Sequence, residues 1–262
     1  PAGETEAIFE RFWRAEAGRE RGKAGAEEMG DLLNSTFDAL LSAAYDYGAS
    51  LLKWGGDAVL LLFDGNGHAI RAAQAAWEMQ SAMCRDGRLK TSVGMVDLGM
   101  SIGIHSGEFD FMLVGSRYRE LIVTGPAATA TAHLEPVAER GQVVISSATR
   151  AAIPAGCAEV GATDGCLLTA SPGAVAAPNK TRPIPAVDLA AAFCADLRDH
   201  LRGDVVDYEH RRAVVGFIEF SGTDALLAAD GVDSLTDAVD HVVSLAQEAA
   251  ADSGVTVLST DL

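Results

Sequence analysis

One stretch, S-L-L-K-W-G-G-D-A-V-L-L-L-F from Ser50 to Phe63, constrains the fold more than any other. Apolar residues flank a Gly-Gly-Asp on both sides, with Leu51-Leu52 leading in and Ala58 to Phe63 leading out. Glycine accepts the backbone angles of a tight turn, so the pattern predicts two buried strands joined as a hairpin. Asp57 then stands at the hairpin tip. A carboxylate held there on rigid elements suits Mg²⁺, which takes hard oxygen donors and keeps most of its waters. The same tripeptide also serves as a plain hairpin turn, and this stretch alone leaves both roles open.

Around that hairpin the periodicity alternates between helix and strand. Residues 6–21 carry Ile8, Phe9, Phe12 and Trp13 among Glu and Arg, a helical pattern that Gly22 to Gly25 should interrupt. From Ala26, the residues Met29, Leu33, Phe37, Leu40 and Ala44 recur every three or four positions, and Gly48 suits a C-terminal cap. A turn at Gly65 to Gly67 leads into a second helix from His68 to Cys84. Met100, Ile102 and Ile104 alternate as in a half-buried strand, and residues 109–114 and 120–124 form a second hairpin. A helix over 126–138 with Pro126 in its first turn, a strand over 141–145 and a helical turn capped by Ser147 complete the region.

After Pro154 the chain turns rich in Ala, Gly and Pro, and residues 155–186 read as irregular. A helix over 187–201, a strand over 213–220, a helix over 234–251 and a strand over 255–258 follow. The expected division is therefore 1–154, an irregular linker and helix over 155–209, and a further unit over 210–262.

The net charge of −17 opposes nucleic acid and anionic membrane surfaces. It also repels a nucleotide triphosphate unless metal ions supply positive charge locally. No apolar run reaches the roughly 20 residues that span a bilayer, and the charged N-terminal stretch does not read as a signal peptide. The four cysteines Cys84, Cys157, Cys166 and Cys194 lack C-x-x-C spacing, which suggests reduced thiols in a cytoplasm.

Four blocks in order, K-W-G-G-D-A-V-L-L-L-F, M-S-I-G-I-H-S-G, E-L-I-V-T-G-P-A-A-T-A-T-A-H-L-E and G-Q-V-V-I-S, resemble the catalytic domain of class III nucleotide cyclases, the adenylyl and guanylyl cyclases. The segment V-V-G-F-I-E-F-S-G resembles the start of a second such domain. The tandem arrangement is most similar to soluble adenylyl cyclase and its bacterial relatives. The resemblance implies an α+β, ferredoxin-like palm with a βαββαβ core and the start of a second copy. It also implies activity at a head-to-tail pair of domains, in cis or as a homodimer. Its chemistry would be attack of the ATP 3′-hydroxyl on the α-phosphate, giving 3′,5′-cyclic AMP and pyrophosphate with two Mg²⁺ or Mn²⁺ ions.

By the same resemblance, Asp57 matches the second metal carboxylate. The first belongs on a strand of the form F-x-D-I-x-G-F-T. Ala2-Gly3-Glu4-Thr5 corresponds to the tail of that motif in the first copy, which places its Asp ahead of residue 1. In the second copy Glu219 stands where Asp is expected, and its extra methylene shifts the oxygens in a geometry-demanding site. Lys53 matches the base-reading Lys, or in soluble-type first domains a Lys toward a regulatory anion pocket. Ile122 occupies the adenine-reading position and has no hydrogen-bonding group. Thr129 and His133 occupy the positions of the Asn and Arg that stabilise the transition state. His105 reads as structural, and a snorkelling Lys53 at a strand edge is the plain alternative.

These departures lead to the expectation that this chain alone is not an efficient cyclase. Two other classes stay in view. One is a non-catalytic cyclase-homology module that binds nucleotide or an anion and controls an attached domain. The other is a diguanylate cyclase of the GGDEF type, from which Ala58-Val59 depart where Glu-Phe is expected.

Overall fold

The computed structural model describes residues 19–55, 57–92, 94–161, 165–173, 189–202, 214–216 and 218–257. In chain order the elements are α1 (Arg19–Asp46), β1 (Ser50–Gly55), β2 (Ala58–Leu62), α2 (His68–Asp86), β3 (Arg88–Thr91), β4 (Gly94–Asp97), β5 (Ile102–Ile104), β6 (Asp110–Val114) and β7 (Glu120–Thr124). Then follow α3 (Pro126–Leu134), β8 (Val143–Ile145), α4 (Ser147–Ala151), β9 (Ala158–Val160), β10 (Cys166–Leu168), a 3₁₀ turn (Leu189–Ala192), α5 (Ala195–Leu201) and α6 (Thr223–Asp252). The chain divides into two compact units, residues 1–106 with 130–180, and residues 107–129 with 181–262. This mixed α/β architecture agrees with the fold class that the motifs imply. No helix among the described residues is long and apolar enough to cross a membrane.

In the first unit, α1 runs unbroken through Gly22 and Gly25, where a break is expected. Each glycine costs a helix roughly 1 kcal/mol relative to Ala, and the Arg, Glu, Lys and Ala around them are good helix formers. The residues of the expected 6–21 helix before Arg19 lie outside the described residues. The end at Gly48 is as expected: its φ of 82° lets the Ala49 N–H reach back to the Ala44 carbonyl at 3.1 Å.

β1 and β2 form the expected antiparallel hairpin, from Ser50 opposite Leu62 to Gly55 opposite Ala58, with a bulge between Leu51 and Lys53. A second sheet has the order β5-β8-β10-β9, with β5 parallel to β8 and the other pairs antiparallel. Ala69, Ala73 and Ala76 of α2 pack with Val143 and Ile145 of β8 and Cys166 and Leu168 of β10. Small alanines on that helix face let it approach the sheet closely.

Four further details of this region differ from the sequence expectation. The stretch after Pro154 is not irregular throughout, because β9 and β10 pair there. Each is three residues long, too short to show periodicity; β10 gains its shape by pairing with β8, and β9 by pairing with β10. The β3–β4 hairpin is likewise formed by four-residue strands that carry little pattern. Ser146, not Ser147, caps α4 by accepting from the Thr149 N–H at 3.2 Å, and α3 stops at Leu134.

In the second unit, β6 and β7 pair from Asp110 opposite Thr124 to Val114 opposite Glu120. Met112, Val114 and Ile122 on one hairpin face pack against Leu235, Val239 and Val243 of α6. The two-residue repeat of the strand meets the four-residue repeat of the helix, so both present one apolar stripe. α6 is interrupted at Gly231, whose φ of 82° and ψ of 179° lie in a region reserved for glycine. The expected helix over 187–201 is a 3₁₀ turn followed by α5, and residues 187–188 lie outside the described residues. The expected strand over 213–220 does not form at residues 214–216 or 218–220, nor does the one over 255–258 at residues 255–257. A strand exists only by pairing, and these segments have no strand neighbour among the described residues.

Candidate functional site

Gly55 pairs with Ala58, and Asp57 is exposed at the tip of the hairpin between them. Lys53 lies on the same hairpin, half-buried and opposite Leu60. Trp54 stacks at a tilt of 58° on Phe37 of α1, with ring centroids 4.5 Å apart, and so fixes β1 on the helix.

The base of the hairpin is held by a residue that the motifs do not single out. Arg71 of α2 is fully buried, and its partners are backbone carbonyls. It donates to the carbonyl of Tyr47 at 2.9 Å, just before β1, and to those of Asp64 and Asn66, just after β2. One guanidinium therefore clamps both entrances of the hairpin, using the fork of donors that only Arg carries. The only sequence signal is a charge on the otherwise alanine-rich face of a helix.

Ile122 is 6% exposed and faces the apolar stripe of α6. No polar group is offered at that position, and Leu235, Val239 and Val243 fill the space against its hairpin face. Thr129, in α3, is exposed, and its hydroxyl donates to Oδ2 of Asp224 at 2.8 Å. Asp224 sits in the first turn of α6, where an acid complements the helix dipole. Glu219 is exposed in the segment that leads into α6. The structure thus brings Thr129 to the segment just after Glu219. His133 is exposed in the last turn of α3.

The β6–β7 loop is fastened to α6 by polar contacts as well. The Gly115 N–H donates to Asp240 at 2.8 Å, the Arg117 N–H donates to Gln247 at 3.1 Å, and Gln247 donates back to the Tyr118 carbonyl at 3.1 Å. Gly115 has a φ of 108°, and a Cβ there would stand 2.6 Å from the Gln247 amide. Tyr118 is buried and donates to the Val257 carbonyl at 2.9 Å. Burial, then the negative fields of Glu120 and Cys194, raise its phenol to about 12, against a weaker opposing hydrogen bond from Gln247.

In the M-S-I-G-I-H-S-G block, Gly103 is required by close approach: a Cβ would meet the Glu135 amide nitrogen at 2.6 Å. His105 follows β5, half-buried, and burial lowers its pKa from the ordinary 6.5. Neutral imidazole against the sheet agrees with a structural role.

Two-metal chemistry needs a carboxylate pair. Among the described residues, no three or more His, Cys, Asp or Glu side chains gather into a set that could hold a metal ion. Asp57 supplies one carboxylate on an exposed loop. Asp57 and Glu219, the two carboxylates that the motifs point to, are both exposed, and either would be a hard oxygen donor for Mg²⁺.

The fold and these motifs can be set beside known proteins. The family described as the adenylate and guanylate cyclase catalytic domain matches residues 7–165. Among solved structures, the guanylate cyclase domain of RhGC from Catenaria anguillulae, in complex with GTP, is 21% identical, with 55% of this chain and 85% of that chain covered and a TM-score of 0.47. The guanylyl cyclase Cya2 is 26% identical over 55% of this chain and 79% of that chain, with a TM-score of 0.45. The adenylyl cyclase CyaB from P. aeruginosa is 19% identical over 63% of this chain and 89% of that chain, with a TM-score of 0.43. No curated protein matches the chain. The family match extends over more than half of the 262 residues and contains all four motif blocks that point to it, and the chain belongs to the class III adenylate and guanylate cyclase catalytic domains.

Proposed function

We propose that this chain is a catalytically degenerate region of a tandem class III cyclase whose intact parent converts ATP to 3′,5′-cyclic AMP and pyrophosphate in the cytoplasm. In the parent, Asp57 would be one ligand of Mg²⁺ or Mn²⁺, and Lys53 would face nucleotide or a regulatory anion. Residues 210–262 would open the second copy. Class III cyclase domains generally use divalent metals. The chain alone should not turn over ATP.

The observation that carries this reading is the burial of Ile122 under α6. A purine edge is read by hydrogen bonds, and an apolar side chain sealed against Leu235, Val239 and Val243 offers none. Thr129 adds to it, since its hydroxyl is engaged by the Asp224 carboxylate. An acid at that point opposes the charge of a transferring phosphoryl group, and His133 stands at the separate position where an Arg would be worth about 10³ or more in rate.

The test is to incubate the purified chain with ATP and Mn²⁺ and to measure cyclic AMP. Product indistinguishable from a protein-free control is expected. Turnover on the order of 1 s⁻¹ would overturn the reading. The same Thr129–Asp224 contact favours a second reading, in which the parent too is a non-catalytic regulatory module. A cyclic AMP assay on the parent separates the two.

A further inference from the structure

The first unit holds a cavity of about 130 Å³ between α1, the end of α2 and β3. An engineered protein cavity of about 150 Å³ takes benzene, so the space here suits one small ring or a compact branched chain. Ala39 of α1 and Ala82 of α2 leave it open, because neither side chain extends past its Cβ. Leu40, Met83 and Leu89 supply apolar walls. Asp57 and Lys53 are not among the residues that line it.

The polar groups of the walls are all of one kind. Ser35 and Thr36 line the cavity, and both donate their hydroxyl protons to the Leu32 carbonyl, at 2.9 and 2.8 Å. What these oxygens have left to offer is lone pairs. Asp86 adds a carboxylate, an acceptor that is also negative. It is the last residue of α2, a helix of 19 residues, and Gly87 after it is the C-terminal cap. The negative end of the helix dipole therefore lies at the same wall. Arg85 of the same turn does not line the cavity. An anion is repelled by such walls, and a neutral alcohol answers them only in part. A protonated primary amine brings three donors, no acceptor and a positive charge.

We propose that this cavity binds a small primary ammonium with a compact apolar body. The charged head lies against Asp86 and the end of α2, and the body fills the space between Leu40, Met83 and Leu89. The occupant is fixed by complementarity on both counts, of charge at one wall and of apolar surface at the others.

The test titrates the full chain at pH 7 with benzylamine and follows amide chemical shifts, which report both affinity and place. Benzyl alcohol is the neutral analogue, benzoate the anionic one, and methylammonium the charge without the body. Benzylamine is expected to bind about tenfold or more tightly than benzyl alcohol, as a charge-assisted hydrogen bond allows, with the shifts centred on residues 35–40 and 82–89. Benzoate and methylammonium should leave those residues unmoved at the same concentration. Asp86 is exposed, so Asp86→Asn should keep the fold and bring benzylamine down to the level of the alcohol. Ala82→Leu should fill the cavity and abolish binding of both, with unchanged helical circular dichroism. Equal affinity for amine and alcohol overturns the proposal, as does the absence of benzylamine shifts at these residues. Benzylamine binding that survives Ala82→Leu, or methylammonium binding of equal strength, overturns it too, since either would show attraction to an acidic surface rather than to the cavity.

Discussion

Asp57 and Arg71 occupy opposite ends of one hairpin and should respond to mutation in opposite ways. Asp57 is exposed at the hairpin tip, so Asp57→Asn should leave the unfolding free energy from urea titration within about 0.5 kcal/mol of wild type, as for surface sites generally. In the intact parent the same change should abolish metal-dependent cyclic AMP formation. Full activity there would remove Asp57 from the metal site. Arg71 is fully buried on three carbonyls. Arg71→Ala strands those acceptors at about 1–3 kcal/mol each where no water replaces the guanidinium. A loss of at least about 3 kcal/mol in urea unfolding is expected, and Arg71→Lys, with fewer donors on a less rigid head, should recover only part of it.

At the scale of elements, α6 and the β6–β7 hairpin form one packed unit, and Leu235 is at its centre with 0% exposure. Leu235→Ala should cost about 2–5 kcal/mol, the range for a buried leucine whose surroundings cannot collapse. A shift below about 1 kcal/mol would show that the helix does not depend on this contact. Tyr118 gives the unit a pH dependence. Its pKa in the folded protein is about 12, above the ordinary 10, so the folded state holds the phenolic proton more tightly. The stabilisation is complete below pH 10 and is lost as pH rises from 10 towards 12. Urea midpoints measured across that window should fall, and Tyr118→Phe should flatten the fall while weakening the protein at lower pH through loss of the Val257 hydrogen bond. An unchanged slope in Tyr118→Phe would assign the alkaline transition to another group.

At the scale of the whole molecule, what could be read from the sequence is what is local or periodic. The Gly-Gly-Asp hairpin, the β6–β7 hairpin, the second helix, the cap at Gly48 and the cyclase motifs were all legible, because each is decided by residues within a few positions of one another. That Ile122, Thr129 and His133 differ in side-chain chemistry from the residues the resemblance implies is likewise a matter of sequence alone. The tertiary structure alone decided the rest. β10 is a strand because β8 offers an edge, and β9 because β10 offers the next, whereas residues 214–216 and 218–220 belong to a stronger strand pattern and have no strand neighbour among the described residues. Arg71 finds its role from carbonyls 24, 7 and 5 residues away, and Thr129 meets Asp224 at a separation of 95. Local patterns record a preference of the backbone and the side of it that avoids water. Which partner satisfies a buried charge or an open sheet edge depends on groups that only folding brings together.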